Sequence, residues 1–185
     1  EVICLYVLDD ETPGKWRWGG ASRWWLHHSL QSLSKDLKLV LQRCRADAVI
    51  ADVIKESGAG AVFFTRDYAP WSPSLEPRVK DVCESAGATC HRFGGYLLHE
   101  PEAIRNGAGE PYKVYTPFSR ACFAAGEPRL PAAAAKPVMW QGRLQSDNLQ
   151  DWNLLPKHPD WSKGFESEWR PGEAGARAGL SRFLD

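Results

Sequence analysis

The chain opens on a continuous apolar run, Val2-Ile3-Cys4-Leu5-Tyr6-Val7-Leu8, that breaks at Asp9-Asp10. A run without polar alternation marks a strand covered on both faces, with its carboxyl end at solvent. The Gly-, Pro- and Trp-rich stretch from Thr12 to Gly20 reads as a loop. Beyond it, Leu26, Leu30, Leu33 and Leu37 recur at helical spacing behind Ser22, a residue suited to cap a helix, with Trp25 and Ser29 extending the inner face. Lys38 to Gln42 is a second strand, and Asp47 to Glu56 a helix with Val49, Ile50, Val53 and Ile54 inward and Gly58 at its end. Ala61 to Thr65 is a third strand, ending in the polar and aromatic loop Arg66 to Trp71. A helix from Ser74 to Ala86, with Leu75, Val79 and Val82 on one face and Gly87 closing it, leads to a short strand from Thr89 to Phe93. Strands alternating with helices predict an α/β fold of the Rossmann-like kind, a doubly wound parallel sheet with helices on both faces.

From Gly94 the alternation stops. Leu97 and Leu98 are expected to be buried, Asn106 to Pro111 is a turn, and a short helix is expected over Phe118 to Ala125. Residues 126–170 hold many Pro and isolated Trp with no helical or strand period, the pattern of an irregular arm that packs by its aromatics. Gly172 to Leu184 regains helical spacing through Ala176, Leu180 and Leu184. The expected division is therefore 1–125 for the α/β domain, 126–170 for the arm and 171–185 for the start of a further helix.

Nine tryptophans among 185 residues, against seven Phe and five Tyr, invert the usual order. Lys+Arg and Asp+Glu number 23 each, so no global field attracts nucleic acid or an anionic membrane. With 43% apolar and 25% charged residues, wholesale disorder, collagen and disulfide scaffolds are excluded. Five cysteines without CxxC spacing (Cys4, Cys44, Cys83, Cys90, Cys122) point to reduced, mostly buried thiols, and Cys83, Cys90 and His91 lack the spacing of a zinc site. No stretch reaches the ~20 apolar residues of a membrane span, and no signal-peptide pattern is visible, which sets the expectation of a cytoplasmic protein that meets no membrane.

Five stretches, in order along the chain, resemble the N-terminal α/β domain of DNA photolyases and cryptochromes, specifically the class I cyclobutane pyrimidine dimer photolyases. They are Leu5 to Asp9, Gly20 to Leu30 (GASRWWLHHSL), Asp67 to Trp71, Gly107 to Phe118 (GAGEPYKVYTPF) and Trp169-Arg170-Pro171-Gly172-Glu173. The resemblance implies a sheet of about five strands that can hold a light-harvesting antenna. It also implies a separate C-terminal helical domain that binds FAD and damaged DNA and splits pyrimidine dimers by electron transfer from the excited flavin. The motifs of that domain are absent here, so residues 171–185 are expected to begin the linker to it, and this stretch by itself is expected to be inactive, with no catalytic residue. Family members also begin with a strand at the centre of the sheet that has no counterpart before Glu1. Strands Val2 to Leu8 and Ala61 to Thr65 would then lack their shared neighbour, and the expectation is that further residues precede Glu1 in the natural protein.

An antenna is a flat conjugated ring held between apolar walls and oriented by a few polar groups. The carboxyl ends of the strands offer Asp9, Asp10, Trp16 and Arg17 on one loop and Asp67, Tyr68 and Ala69 on another. The resemblance implies that Asp67 contacts the ring where the antenna is a deazaflavin. Ala69 stands where a Glu is usual, and Trp71-Ser72 stands where folate binders place Asn-Glu, so deazaflavin, FMN and folate all stay open. Asp9 and Asp67 also read as turn or cap residues, Trp24 and Trp25 as packing, and His27 and His28, being adjacent, as one exposed and one half-buried histidine. Competing functions are a cryptochrome photoreceptor and a stand-alone nucleotide-binding α/β protein.

Overall fold

The computed structural model describes residues 1–127, 130, 132, 133 and 135–185, so four positions of the 126–170 arm (Pro128, Arg129, Pro131 and Ala134) lie outside the described residues. The apolar runs form parallel strands. β1 (Cys4–Val7) pairs with β2 (Leu39–Gln42), Cys4 opposite Leu39 and Val7 opposite Gln42, and β3 (Ala61–Thr65) pairs with β4 (Thr89–Phe93), Ala61 opposite Thr89. Helices α1 (Gly20–Leu33), α2 (Ala46–Ser57) and α3 (Ser72–Ser85) connect them, as the alternating pattern predicts for α/β architecture. α2 ends at Gly58 in the left-handed conformation (φ 70°), where its N–H bonds the Ile54 carbonyl, a position that favours glycine. Later come α4 (Tyr115–Ala124), the single turn α5 (Phe165–Glu168) and α6 (Glu173–Leu184).

Among the described residues the four strands form two separate pairs. A cavity of about 600 Å³ separates them, walled by Leu5 and Val7 of β1, Val62 and Phe64 of β3, and Ile50 and Val53 of α2. β1 is half-buried along its length, short of the two-sided burial that its apolar run predicts, because its partner and α1 leave it beside this cavity. The other face of β3–β4 carries Phe63, His91 and Phe93 stacked in a row, with Phe63 and Phe93 exposed.

Two apolar clusters hold these pairs. Leu8, Leu26, Leu30 and Leu41 bury against Trp152 and Leu154, with Tyr6 and Leu39 at the rim. Ile54, Val79, Cys83 and Ala88 form the second cluster between α2, α3 and β4. The arm is therefore structural. Ser146 Oγ accepts from the Leu41 N–H at 3.0 Å and the Asp147 N–H donates to the Leu41 carbonyl at 2.7 Å, so it covers the outer edge of β2. Trp152 Nε1 donates to Asp147 at 2.9 Å, satisfying the one polar group of an otherwise buried indole.

Several expectations are corrected. α1 begins at Gly20 with Gly19 as its cap, because Ser22 already has helical geometry. Leu97 and Leu98 are exposed, in an irregular segment beyond the end of β4. The arm holds a 3-10 turn (Leu149–Trp152), capped by the Asn148 side chain, as well as α5. Cys83 alone is fully buried, Cys44 is exposed and the other thiols lie between. His27 is buried at 3% exposure and His28 is intermediate, because the inner face of α1 spans Trp24, His27 and Leu30.

Two outcomes follow from this packing. Leu154→Ala, which empties the centre of the first cluster, is expected to lower stability by about 2–5 kcal/mol in urea unfolding. Burial, and then neighbouring His28, push the His27 imidazole below its ordinary value of 6.5, and its Nδ1 has no hydrogen-bond partner among the described residues. The unfolded chain therefore takes up a proton first as pH drops, so this stabilisation is complete above about pH 6.5 and is lost below it. The urea midpoint of the wild type is expected to fall between pH 7.5 and 5.5, and His27→Leu to flatten that fall. An unchanged slope would place the ionisation elsewhere.

Candidate functional site

The carboxyl ends of β1 and β3 carry the polar loops that the sequence singles out. Asp9, just past β1, accepts hydrogen bonds from the Glu11 and Thr12 N–H groups (2.9 Å each), the Thr12 hydroxyl (2.6 Å) and the Ala46 N–H at the start of α2 (3.0 Å). Burial works against its ionisation, and the hydrogen bonds outweigh it, so the Asp9 carboxyl lies below its ordinary value of 3.8. Asp10 is clamped between Arg23 of α1 and Arg43, the latter at 2.8 Å. Asp67 accepts from the Tyr68 N–H at 2.9 Å and the Ser72 hydroxyl at 2.8 Å, which ties the β3 loop to the first residue of α3. All three carboxylates thus organise the chain itself.

Tyr68 donates to Glu100 at 2.6 Å, and the Arg66 guanidinium lies 5.1 Å from the Tyr68 ring centre while pairing with Glu100 (3.0 Å) and Glu102 (2.7 Å). Desolvation and then the Glu100 carboxylate raise the Tyr68 hydroxyl above its ordinary range, and Arg66 holds Glu102 down to about 2. Gly95 fits under this cluster only without a side chain: a Cβ would sit 2.5 Å from the Arg66 carbonyl oxygen and 2.6 Å from the Tyr68 ring. Ala69 is half-buried and its carbonyl accepts from the Ser72 N–H at 3.0 Å. Arg78 of α3 reaches Thr12 (3.4 Å) and Asp47 (3.6 Å), linking the β1 and β3 ends.

On the β1 side, Trp16 is 64% exposed with Lys15 against its ring, and Arg17 is also exposed. Trp18, two residues on, lines an open groove of about 540 Å³ with Tyr6, Trp25 and Leu26 as its apolar walls and Ser22 and Ser29 as its hydroxyls. Burial, and then Asp10, push the Tyr6 hydroxyl up to about 12, so it stays a neutral donor throughout the physiological range. Trp24 packs inward edge-on to Phe165 at 5.3 Å, whereas Trp25 keeps 42% exposure and meets Trp169 at 5.9 Å. Sequence reasoning missed Trp25 as a groove wall because helical spacing assigns it to the core. It missed Arg23, Arg43, Arg78 and Glu100 because their partners are distant in sequence. Among the described residues no group of three or more His, Cys, Asp and Glu is placed to hold a metal ion, and no helix is long and apolar enough to cross a membrane.

The hydrogen bonds of Asp9 yield one expected outcome. Asp9→Ala should leave the Thr12 and Ala46 N–H groups unpaired and cost about 1–3 kcal/mol in thermal or urea unfolding. The stability that the wild type loses as pH falls below about 3.8 should be missing from the variant. A variant as stable as the wild type at neutral pH would show that this carboxylate organises nothing.

Comparison with known proteins places the whole. The family description "DNA photolyase" matches residues 1–137. A deoxyribodipyrimidine photo-lyase of Agrobacterium fabrum is 42% identical over all of this chain, and cryptochrome-1 of Arabidopsis thaliana is 28% identical, also over all of it. The chain spans 39% and 28% of those two relatives. The crystal structure of a class III photolyase from Agrobacterium tumefaciens superposes on the whole chain with a TM-score of 0.89 at 38% identity, again over 39% of its length. A Synechocystis cryptochrome structure, 17% identical with a TM-score of 0.57, shares the fold over 66% of the chain. Strand pairing, the loops at the strand ends and these matches agree, and the chain belongs to the DNA photolyase family.

Proposed function

We propose that this chain is the N-terminal, light-collecting part of a light-driven DNA repair enzyme, a deoxyribodipyrimidine photolyase of the class III kind. The observation that carries the reading is the match to a photolyase at 42% identity across every residue of the chain, against 28% for cryptochrome-1. The TM-score of 0.89 against a class III photolyase supports that class over the class I resemblance of the sequence motifs. The repair chemistry, the FAD and the contact with damaged DNA belong to a following helical domain, for which α6 is the lead-in.

Within this part the groove walled by Tyr6, Trp18 and Trp25 is the site offered to a flat conjugated chromophore, of deazaflavin, FMN or folate type. Indole faces supply dispersion and exclude water, and the serines orient the ring's polar edge. Trp16 and Arg17 stand on the same loop as Trp18, and the Asp9, Asp10 and Asp67 networks, with Tyr68 and Ala69, hold the neighbouring strand ends in place.

Two measurements test this. The full-length protein should restore survival of ultraviolet-irradiated, photolyase-deficient bacteria under visible light and not in darkness. Survival unchanged by light would favour the cryptochrome reading. Protein purified without denaturation should carry a near-ultraviolet or blue absorption band in addition to that of FAD, and Trp25→Ala should lose that band while keeping the FAD spectrum. A band that survives the substitution would remove the groove as its site.

A further inference from the structure

The second apolar cluster holds two thiols. Cys83, in the last turn of α3, is 0% exposed, and Cys90, on β4, is partly buried and packs against the same cluster. The turn between them brings them together. The Ala88 N–H donates to the Cys83 carbonyl at 2.8 Å and the Gly87 N–H to the Glu84 carbonyl at 3.1 Å, with Gly87 left-handed at φ 76°, so the chain reverses directly beneath α3. Ala88 and Cys90, two residues apart, share one face of the extended chain, and both pack into the cluster that contains Cys83.

The two sulfurs are unequal. Burial, and then the adjoining Cys90 thiol, push the Cys83 thiol up to about 11, so it stays protonated and sheltered from solvent. Cys90 keeps the partial exposure that a small solute needs to reach it. Among the described residues Cys4, Cys44 and Cys122 belong to neither apolar cluster. An accessible thiol backed by a sheltered one is the arrangement in which the first is oxidised and the second resolves it.

We propose that Cys83 and Cys90 form a reversible disulfide when the protein meets hydrogen peroxide. The peroxide oxidises the Cys90 thiol to a sulfenic acid and leaves as water. The Cys83 sulfur then attacks the Cys90 sulfur, its proton departs with the sulfenic hydroxyl as a second water, and the S–S bond closes. Two electrons pass from sulfur to the peroxide oxygens, and a dithiol reductant returns two electrons to the sulfurs. The bond fastens α3 to β4, the strand whose Phe93 carbonyl accepts from the Arg66 N–H at 2.9 Å, where the β3 loop of the candidate site begins.

The test treats reduced full-length protein with hydrogen peroxide, blocks free thiols with iodoacetamide in denaturant and digests with trypsin. Cleavage after Lys80 and Arg92 releases both cysteines in one peptide, residues 81–92. That peptide is expected to be two hydrogens lighter than its reduced form and free of alkyl groups, and to take up two alkyl groups when dithiothreitol precedes the blocking. Cys83→Ala removes the resolving sulfur, so dimedone, which traps sulfenic acids, should label Cys90 at least about tenfold more in the variant than in the wild type. The wild-type peptide mass stands as a test without the variant. Both cysteines alkylated after peroxide, Cys90 carried on to the sulfinic acid with Cys83 still alkylated, or equal dimedone labelling of variant and wild type would overturn the proposal.

Discussion

Backbone N–H and C=O groups at a covered strand edge need partners, and the carboxyl end of β1 depends on how β2 meets this constraint at its outer edge. The cover comes from more than a hundred residues away: Ser146 and Asp147 take both backbone groups of Leu41, while Trp152 and Leu154 fill the space beneath β1, β2 and α1. Because Arg43 also donates to the Trp152 carbonyl at 3.3 Å while holding Asp10, the covering segment and the loop at the strand end are mechanically one unit. The aromatic groove inherits its stiffness from this unit, since Tyr6 touches Trp152 on one side and lines the groove on the other.

The fold was legible wherever periodicity reports burial. The apolar runs of β1 and β3 and the helical spacing of Val49, Val53 and Ile54 are local patterns, and each became the expected element. The arm has no period because individual groups hold it, a serine hydroxyl here and an indole N–H there, and such contacts leave no repeat to read. Helix starts moved toward the N-terminus by one to three residues: α2 begins at Ala46 and not Asp47, α3 at Ser72 and not Ser74, and α4 at Tyr115 and not Phe118. At α3 the Ser72 hydroxyl donates to Asp67 at 2.8 Å, a contact with the β3 loop, while the cap position, Trp71, makes no side-chain cap hydrogen bond, so the usual local signal of a helix start is missing there.

The site was legible in composition and less so in geometry. Carboxylates at strand ends were visible as candidates, and the structure gives Asp9, Asp10 and Asp67 protein partners. Of those partners, Ala46 and Arg43 lie more than thirty residues from Asp9 and Asp10 and meet them once β1 and β2 are paired, whereas Ser72 reaches Asp67 within its own loop. The tryptophans divide along a similar line. Trp24 and Trp25 are consecutive and chemically identical, yet a 100° step around α1 buries one against Phe165 and leaves the other on the groove wall.

The cavity between β1 and β3 gives the two strand pairs an uneven time dependence. Amides of β1 that point to β2 sit in a closed ladder, whereas those on its other side face a space shared with β3. Exchange with deuterated solvent would then differ by orders of magnitude between alternate residues of one short strand, slow toward the partner and fast toward the cavity. The same alternation would run along β3, so that the boundary between the two sheets is written in the proton lifetimes of single amides.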